Sequence, residues 1–211
     1  MIEALDGIVL PFIDSLYGRF GYAGVVIAMT IESAAIPLPS ELILPFAGWS
    51  VSRGIVEPLT GAAWTYWGAV IAGVLGNTVG SLASYAVGAV GGRPLLDRYG
   101  RYVLISAHDL ELADRWFARW GDLTVFFSRM LPIVRTFISV PAGVARMPLW
   151  RFLLFSVAGT VPWVMLLVWA GMVLGENWLE IKSQLRGLDY LVALAIAGLV
   201  AVFVWRHVRS R

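Results

Sequence analysis

Two short stretches constrain this chain more than anything else in it, because each sets ionisable residues among prolines inside apolar sequence that reads as membrane-buried. One is Glu32-Ser-Ala-Ala-Ile-Pro37-Leu-Pro39-Ser-Glu41-Leu-Ile-Leu-Pro45-Phe-Ala-Gly48; the other is Arg129-Met-Leu-Pro132-Ile-Val-Arg135-Thr-Phe-Ile-Ser-Val-Pro141-Ala-Gly143. The first holds two acids and the second two bases. Both end in Pro, an optional residue, then Ala-Gly, so they read as diverged copies of one element with opposite charge. Pro removes a helix hydrogen bond and Gly admits tight turns and close approaches. Pro37, Pro39, Pro45 and Gly48 in one copy, and Pro132, Pro141 and Gly143 in the other, are therefore the candidate hairpin-shaping residues. Charge at membrane depth is costly and marks a site by default.

The rest of the chain supports the membrane reading. With 59% hydrophobic and 14% charged residues among 211, and a mean hydropathy of +0.77, the apolar surface is too large for one soluble core. The absence of Cys excludes disulfides, thiol catalysis and thiolate metal sites. The two histidines, His108 and His207, are far apart in polar segments, so neither a metal site nor a cofactor is expected. Residues 1–19 carry Glu3, Asp6 and Asp14 against Arg19 alone, which lacks the basic start of a signal peptide, and the chain is expected to stay as made. The pI of about 9.1 comes from Arg beside membrane segments and from a tail with Arg206, Arg209 and Arg211, and does not suggest nucleic acid.

Three stretches are apolar enough to span: Ala62–Gly91, Leu149–Leu174 and the shorter Tyr190–Trp205. Phe20–Ser52 is too long and too proline-broken for one helix. Leu123–Ala145 has a spanning length but contains Arg129 and Arg135, each costing about 2.5–3.5 kcal/mol at the centre of a lipid-facing helix. A hairpin that enters and leaves on one face, lined by protein or water, avoids that cost.

The positive charges give the same answer. Arg93, Arg98, Arg101, Arg115, Arg119, Arg146, Arg151, Arg206, Arg209 and Arg211 all fall on one side if Leu123–Ala145 is re-entrant, leaving only Arg19, Arg53, Lys182 and Arg186 opposite. A crossing segment would split the positive-inside bias. By the same logic the Glu motif enters from the other face.

The expected fold is all-α: an inverted repeat of two re-entrant helical hairpins, each followed by a transmembrane helix, with interfacial amphipathic helices and a C-terminal transmembrane helix. The single membrane domain 1–211 divides into hairpin 1 at 20–52, a span at 62–91, a cytoplasmic amphipathic segment at 92–122, hairpin 2 at 123–145, and spans at 149–174 and 190–205. Gly76, Gly80, Ser84 and Gly88 form a small-residue stripe for close helix packing, echoed by Gly171 and Gly175. Ser106-Ala-His-Asp109 reads as a capping box opening an amphipathic helix on the inner surface.

The four motif charges admit two readings. Glu32 and Glu41 can simply pair with Arg129 and Arg135 to hold the hairpins together. Alternatively the Arg pair binds an anion, since a guanidinium fork suits phosphate, and the carboxylates in low dielectric exchange protons. Ser40, Ser128 and Thr136 can add hydroxyl contacts or satisfy backbone. Together these describe proton-coupled handling of a phosphorylated substrate. A proton-coupled ion or small-solute transporter, a membrane-embedded lipid phosphatase and a purely structural role stay open.

The acids before Pro-x-Ala-Gly, the Phe126-Phe-Ser-Arg129-x-x-Pro132-x-x-Arg135-Thr…Pro141-Ala-Gly143 block and the Gly-rich helix between them resemble the DedA family, also called the SNARE-associated or VTT-domain family. The resemblance covers about Gly18 to Gly175, and the Arg block is its most specific part. It implies a multi-pass bacterial inner-membrane protein with two opposed re-entrant hairpins and a cytoplasmic C-terminus. It also implies transport of undecaprenyl phosphate or another phospholipid with dependence on proton motive force; no enzyme activity is expected, since no His, Cys or Ser-base pair sits near the Arg cluster. By resemblance, the essential acids map onto Glu32 and Glu41 and the essential arginines onto Arg129 and Arg135. Some members carry the second acid as an Asp a few residues later, a departure that bears on Glu41. The partners implied are a lipid phosphate, protons and membrane lipids, with a homo-oligomer allowed.

Overall fold

Proline and glycine punctuation cuts the apolar sequence into helices of two lengths. The computed structural model describes residues 2–34, 39–99, 119–131 and 134–174, with side chains from residue 11 and excluding 92–99. The helices are α1 (Ile2–Phe20), α2 (Tyr22–Ser33), α3 (Ser40–Ser52), α4 (Tyr66–Tyr99), α5 over residues 119–128, α6 (Val134–Phe137), α7 (Ser139–Val144) and α8 (Leu149–Leu174). The described residues are helical apart from turns and one isolated antiparallel bridge, Val56 with Ala63. The expected span at 190–205, the capping box at 106–109, Pro37, Pro132 and Gly175 lie outside the described residues.

Tyr66–Gly91 and Leu149–Leu174, 26 residues each, are long and apolar enough to cross a membrane. The first starts four residues later than the sequence suggested. Gly61 turns the chain at φ +69, and the Thr65 hydroxyl accepts the Gly68 N–H at 3.1 Å, the N-cap bond that sets where a helix begins. At its far end α4 runs on to Tyr99, so the first residues of the expected 92–122 segment continue this helix. The 12 residues of α2 and 13 of α3 reach only about 18–20 Å at 1.5 Å per residue, short of the roughly 30 Å of a hydrocarbon core.

In a lipid environment helices gain little from hydrophobic contrast, so small residues that let backbones touch decide the packing. A Cβ added to Gly76 of α4 would meet the Val26 carbonyl and Met29 of α2; one added to Gly159 of α8 would meet the Phe126 carbonyl and Arg129 on and just after α5. Gly48 of α3 lies against the Val168 carbonyl and Met172 nitrogen of α8, and Gly171 answers against Pro45. In the other motif Gly143 of α7 lies against the Tyr85 carbonyl and Ala89 nitrogen of α4, and Gly88 answers against Val140. The two crossings match: the α4 contact points Gly76, Tyr85, Gly88 and Ala89 recur in α8 eighty-three residues further on as Gly159, Val168, Gly171 and Met172. The closing Ala-Gly of each motif thus packs on the long helix that follows the other motif.

Candidate functional site

The helix ends put the motif charges in one buried place. Glu32 sits in the last turn of α2 and is 2% exposed, Ser40 opens α3, Arg129 follows α5 and is 1% exposed, and Arg135 lies in α6 at 3%. Arg135 Nη2 donates to Glu32 Oε1 at 2.5 Å and also to the Ser40 hydroxyl. Glu41 lies 3.9 Å from the same nitrogen with its side chain 29% exposed. Arg129 joins in differently: Nη1 donates to the Arg135 carbonyl at 2.8 Å and Nη2 to Ser139 at 3.0 Å. It therefore braces the turn that presents Arg135. Arg135 lies over the Trp163 ring at 5.5 Å and Arg129 over Phe152 at 5.7 Å, cation–π contacts that partly replace hydration.

Three buried N–H groups here have no acceptor among the described residues: Arg129 Nε, Arg135 Nε and Trp163 Nε1. Buried donors are nearly always satisfied, so such a group calls for an explanation. Of the hydroxyls named from sequence, Ser40 reaches Arg135, whereas Ser128 donates to its own helix at Val125.

The structure adds residues that the sequence reading did not select. Ser33 donates to Glu32 Oε2 at 3.0 Å, and Asn77 Nδ2 donates to Ser33 at 2.7 Å. Thr160 donates to Asn77 Oδ1 at 2.9 Å, and Ser81 approaches the same oxygen at 3.5 Å. Asn77 was discoverable as the polar neighbour of Gly76 in a stripe otherwise made of small residues. Glu57 carried no sequence signal, since a single acid in a loop reads as solvated. Its Oε1 takes the Tyr22 N–H at the start of α2 (3.3 Å), and its Oε2 takes the Leu59 and Thr60 N–H groups and the Thr60 hydroxyl (3.1, 2.6 and 2.7 Å). Gly21, at φ +53, has no side chain where that carboxylate sits. Burial pushes the Glu57 pKa up, but the donors from Thr60, Tyr22 and Leu59 outweigh it and hold the carboxyl below its ordinary value.

A family model described as the VTT domain matches residues 51–173. The chain is 37% identical to "Undecaprenyl phosphate transporter A" of Bacillus subtilis over 92% of its own length and 90% of that protein. It is 34% identical to an "Alkaline phosphatase-like protein" of Lactococcus lactis subsp. cremoris, over 90% and 87% of the two chains. It is 28% identical to "Undecaprenyl phosphate transporter A" of Staphylococcus aureus, over 98% of both. No solved structure matches.

Proposed function

Because the chain belongs to the VTT-domain (DedA) family of membrane proteins, we propose that it moves a phosphate-bearing lipid, undecaprenyl phosphate or a phospholipid, between the leaflets of a bacterial inner membrane. Arg129 and Arg135 bind the phosphate, and Glu32, assisted by Glu41, exchanges protons. The observation that carries this reading is the set of acceptorless buried donors, Arg129 Nε, Arg135 Nε and Trp163 Nε1, around a guanidinium already held by a carboxylate. An oxyanion supplies several acceptors at once, and planar guanidinium N–H groups match it. The names of the Bacillus and Staphylococcus relatives support a lipid phosphate as that oxyanion.

The proposed cycle follows from competition. Without substrate, Glu32 neutralises Arg135. An arriving phosphate takes Arg135, and a carboxylate left unpaired out of water binds a proton instead of staying charged. Phosphate entry and proton uptake are thereby linked, and release of one drives release of the other. The lengths of α2 and α3, too short to span, support re-entrant hairpins. The matched crossings support an inverted repeat, the architecture in which two halves rock around a central site. The arginine asymmetry supports a cytoplasmic C-terminus.

The test is reconstitution of the full chain in liposomes carrying a labelled polyprenyl phosphate or a labelled phospholipid, with and without a pH gradient. Leaflet exchange that grows with the gradient, and loses that dependence in Glu32→Gln, is the expected result. Release of inorganic phosphate from the lipid would favour the hydrolytic reading suggested by the Lactococcus relative's name. Passage of free phosphate without lipid exchange would favour a small-solute transporter.

A further inference from the structure

The equivalence of the two halves places one hydrogen bond on a special position. With the correspondence that carries Gly76 to Gly159 and Gly88 to Gly171, Asn77 corresponds to Thr160. These two residues bond to each other at 2.9 Å. A contact between equivalent positions lies on the axis relating the two halves, and Asn77 extends from that axis through Ser33 to Glu32.

The hydrogen bonds in this chain run one way. Thr160 and Ser81 face Asn77 Oδ1, so its amide N–H is directed at Ser33. An amide NH2 can only donate, so the Ser33 oxygen accepts from it and the one Ser33 proton is left for Glu32 Oε2. Arg135 covers the other oxygen, Oε1. The Ser33 O–H stabilises the ionised carboxylate, so Glu32 takes up a proton more readily once Ser33 turns that O–H away, toward a carbonyl one turn back on α2. The charged groups facing Glu32 are Arg135 from α6, Arg129 beyond α5 and Glu41 from α3; α4 offers the uncharged Asn77, Ser81 and Ser84, and Asp14 and Arg19 of α1 are exposed.

We propose that Asn77 is a positioning residue for proton exchange: bonded across the axis to Thr160, it holds Ser33 as a donor to Glu32 and ties the proton site to the contact between the two halves. The inference rests on Glu32 as proton carrier, as proposed above. A shift of the halves against each other strains the Asn77–Thr160 bond together with the Arg135–Glu32 bond, and releasing Asn77 lets Ser33 turn away from Glu32 as Arg135 leaves it.

The experiment measures liposome exchange of a labelled polyprenyl phosphate across a pH series for wild type, Asn77→Leu, Thr160→Val, Ser33→Ala and Glu32→Gln, with folded protein quantified in each. Loss of one hydrogen bond to a charged group corresponds to about a tenfold change in proton affinity. Asn77→Leu and Ser33→Ala should therefore move the pH midpoint about one unit alkaline, and Thr160→Val less in the same direction. A packing role alone would lower the amount of folded protein without moving the midpoint. If Glu32→Gln abolishes the pH dependence while the other folded variants keep the wild-type midpoint, the role of Asn77 is refuted and that of Glu32 stands. If Glu32→Gln keeps the wild-type dependence, both fall. Thr160→Val and Ser33→Ala are near-isosteric and carry the test should Asn77→Leu not fold.

Discussion

Removing Arg135 and Glu32 singly and together measures what the buried pair does, and the structure predicts unequal effects. In Arg135→Gln the Glu32 carboxylate loses the guanidinium 2.5 Å away and keeps, among the described residues, the hydrogen bond from the Ser33 hydroxyl. Arg129, the next cation, has its terminal nitrogens bound to the Arg135 carbonyl and to Ser139. Taking one partner from a buried pair costs about 3–5 kcal/mol, and with both side chains 3% exposed the upper half of that range applies. In Glu32→Gln the guanidinium retains Glu41 at 3.9 Å, the Ser40 hydroxyl and the Trp163 face, so the cost is about 1–2 kcal/mol, that of weakening one charge-assisted hydrogen bond. The double variant buries neither member of the pair as a charge. It should cost about 2 kcal/mol, against roughly 5–7 for the sum of the singles, a coupling of about 3 kcal/mol or more. The assay is equilibrium unfolding of the purified full chain in mixed micelles titrated with SDS. A coupling below about 0.5 kcal/mol, or Glu32→Gln as costly as Arg135→Gln, would refute the reasoning that the pair is one electrostatic unit with Glu41 in reserve.

Arg129→Lys and Arg135→Lys keep the charge but lose the planar fork, so folded protein should be recovered with at least tenfold less lipid exchange; wild-type exchange by folded Lys variants would remove the bidentate phosphate proposal. Glu57 has a depressed carboxyl pKa in the folded state, so its contribution is fully present above the unfolded-state value and is lost as pH falls through the folded one. Thermal unfolding against pH should lose part of its acid-side slope in Glu57→Gln, and an unchanged profile would refute the assignment. The chain has no Cys, so single cysteines at the exposed Leu59 and Trp150 report topology: an impermeant thiol reagent applied outside should label Leu59→Cys and spare Trp150→Cys; equal labelling of the two would overturn the re-entrant arrangement, and the reverse would overturn the orientation.

What was legible in the sequence was what depends on neighbours along the chain. Hydropathy marked the membrane class and the spans at 62–91 and 149–174, the first of which begins at Tyr66, because the cost of exposing apolar surface is summed over a local window. The spacing of Pro, Ala and Gly marked Glu32–Gly48 and Arg129–Gly143 as copies, and Gly48 and Gly143 do make equivalent backbone contacts. The burial cost of charge singled out Glu32, Glu41, Arg129 and Arg135; Glu32 and both arginines are buried, whereas the Glu41 side chain is 29% exposed. Even the start of α4 was readable in principle, at Thr65. Only the tertiary structure decided which of the charges meet: Arg135, rather than Arg129, pairs with Glu32, 103 residues away, while Arg129 turns to backbone and Ser139. It also decided that Asn77 reaches Thr160, 83 residues on, and that Glu57 caps a helix beginning 35 residues before it. Hydrogen bonds and ion pairs act over about 3–4 Å in space. No local pattern encodes which distant segments the Gly-to-backbone crossings will bring within that reach.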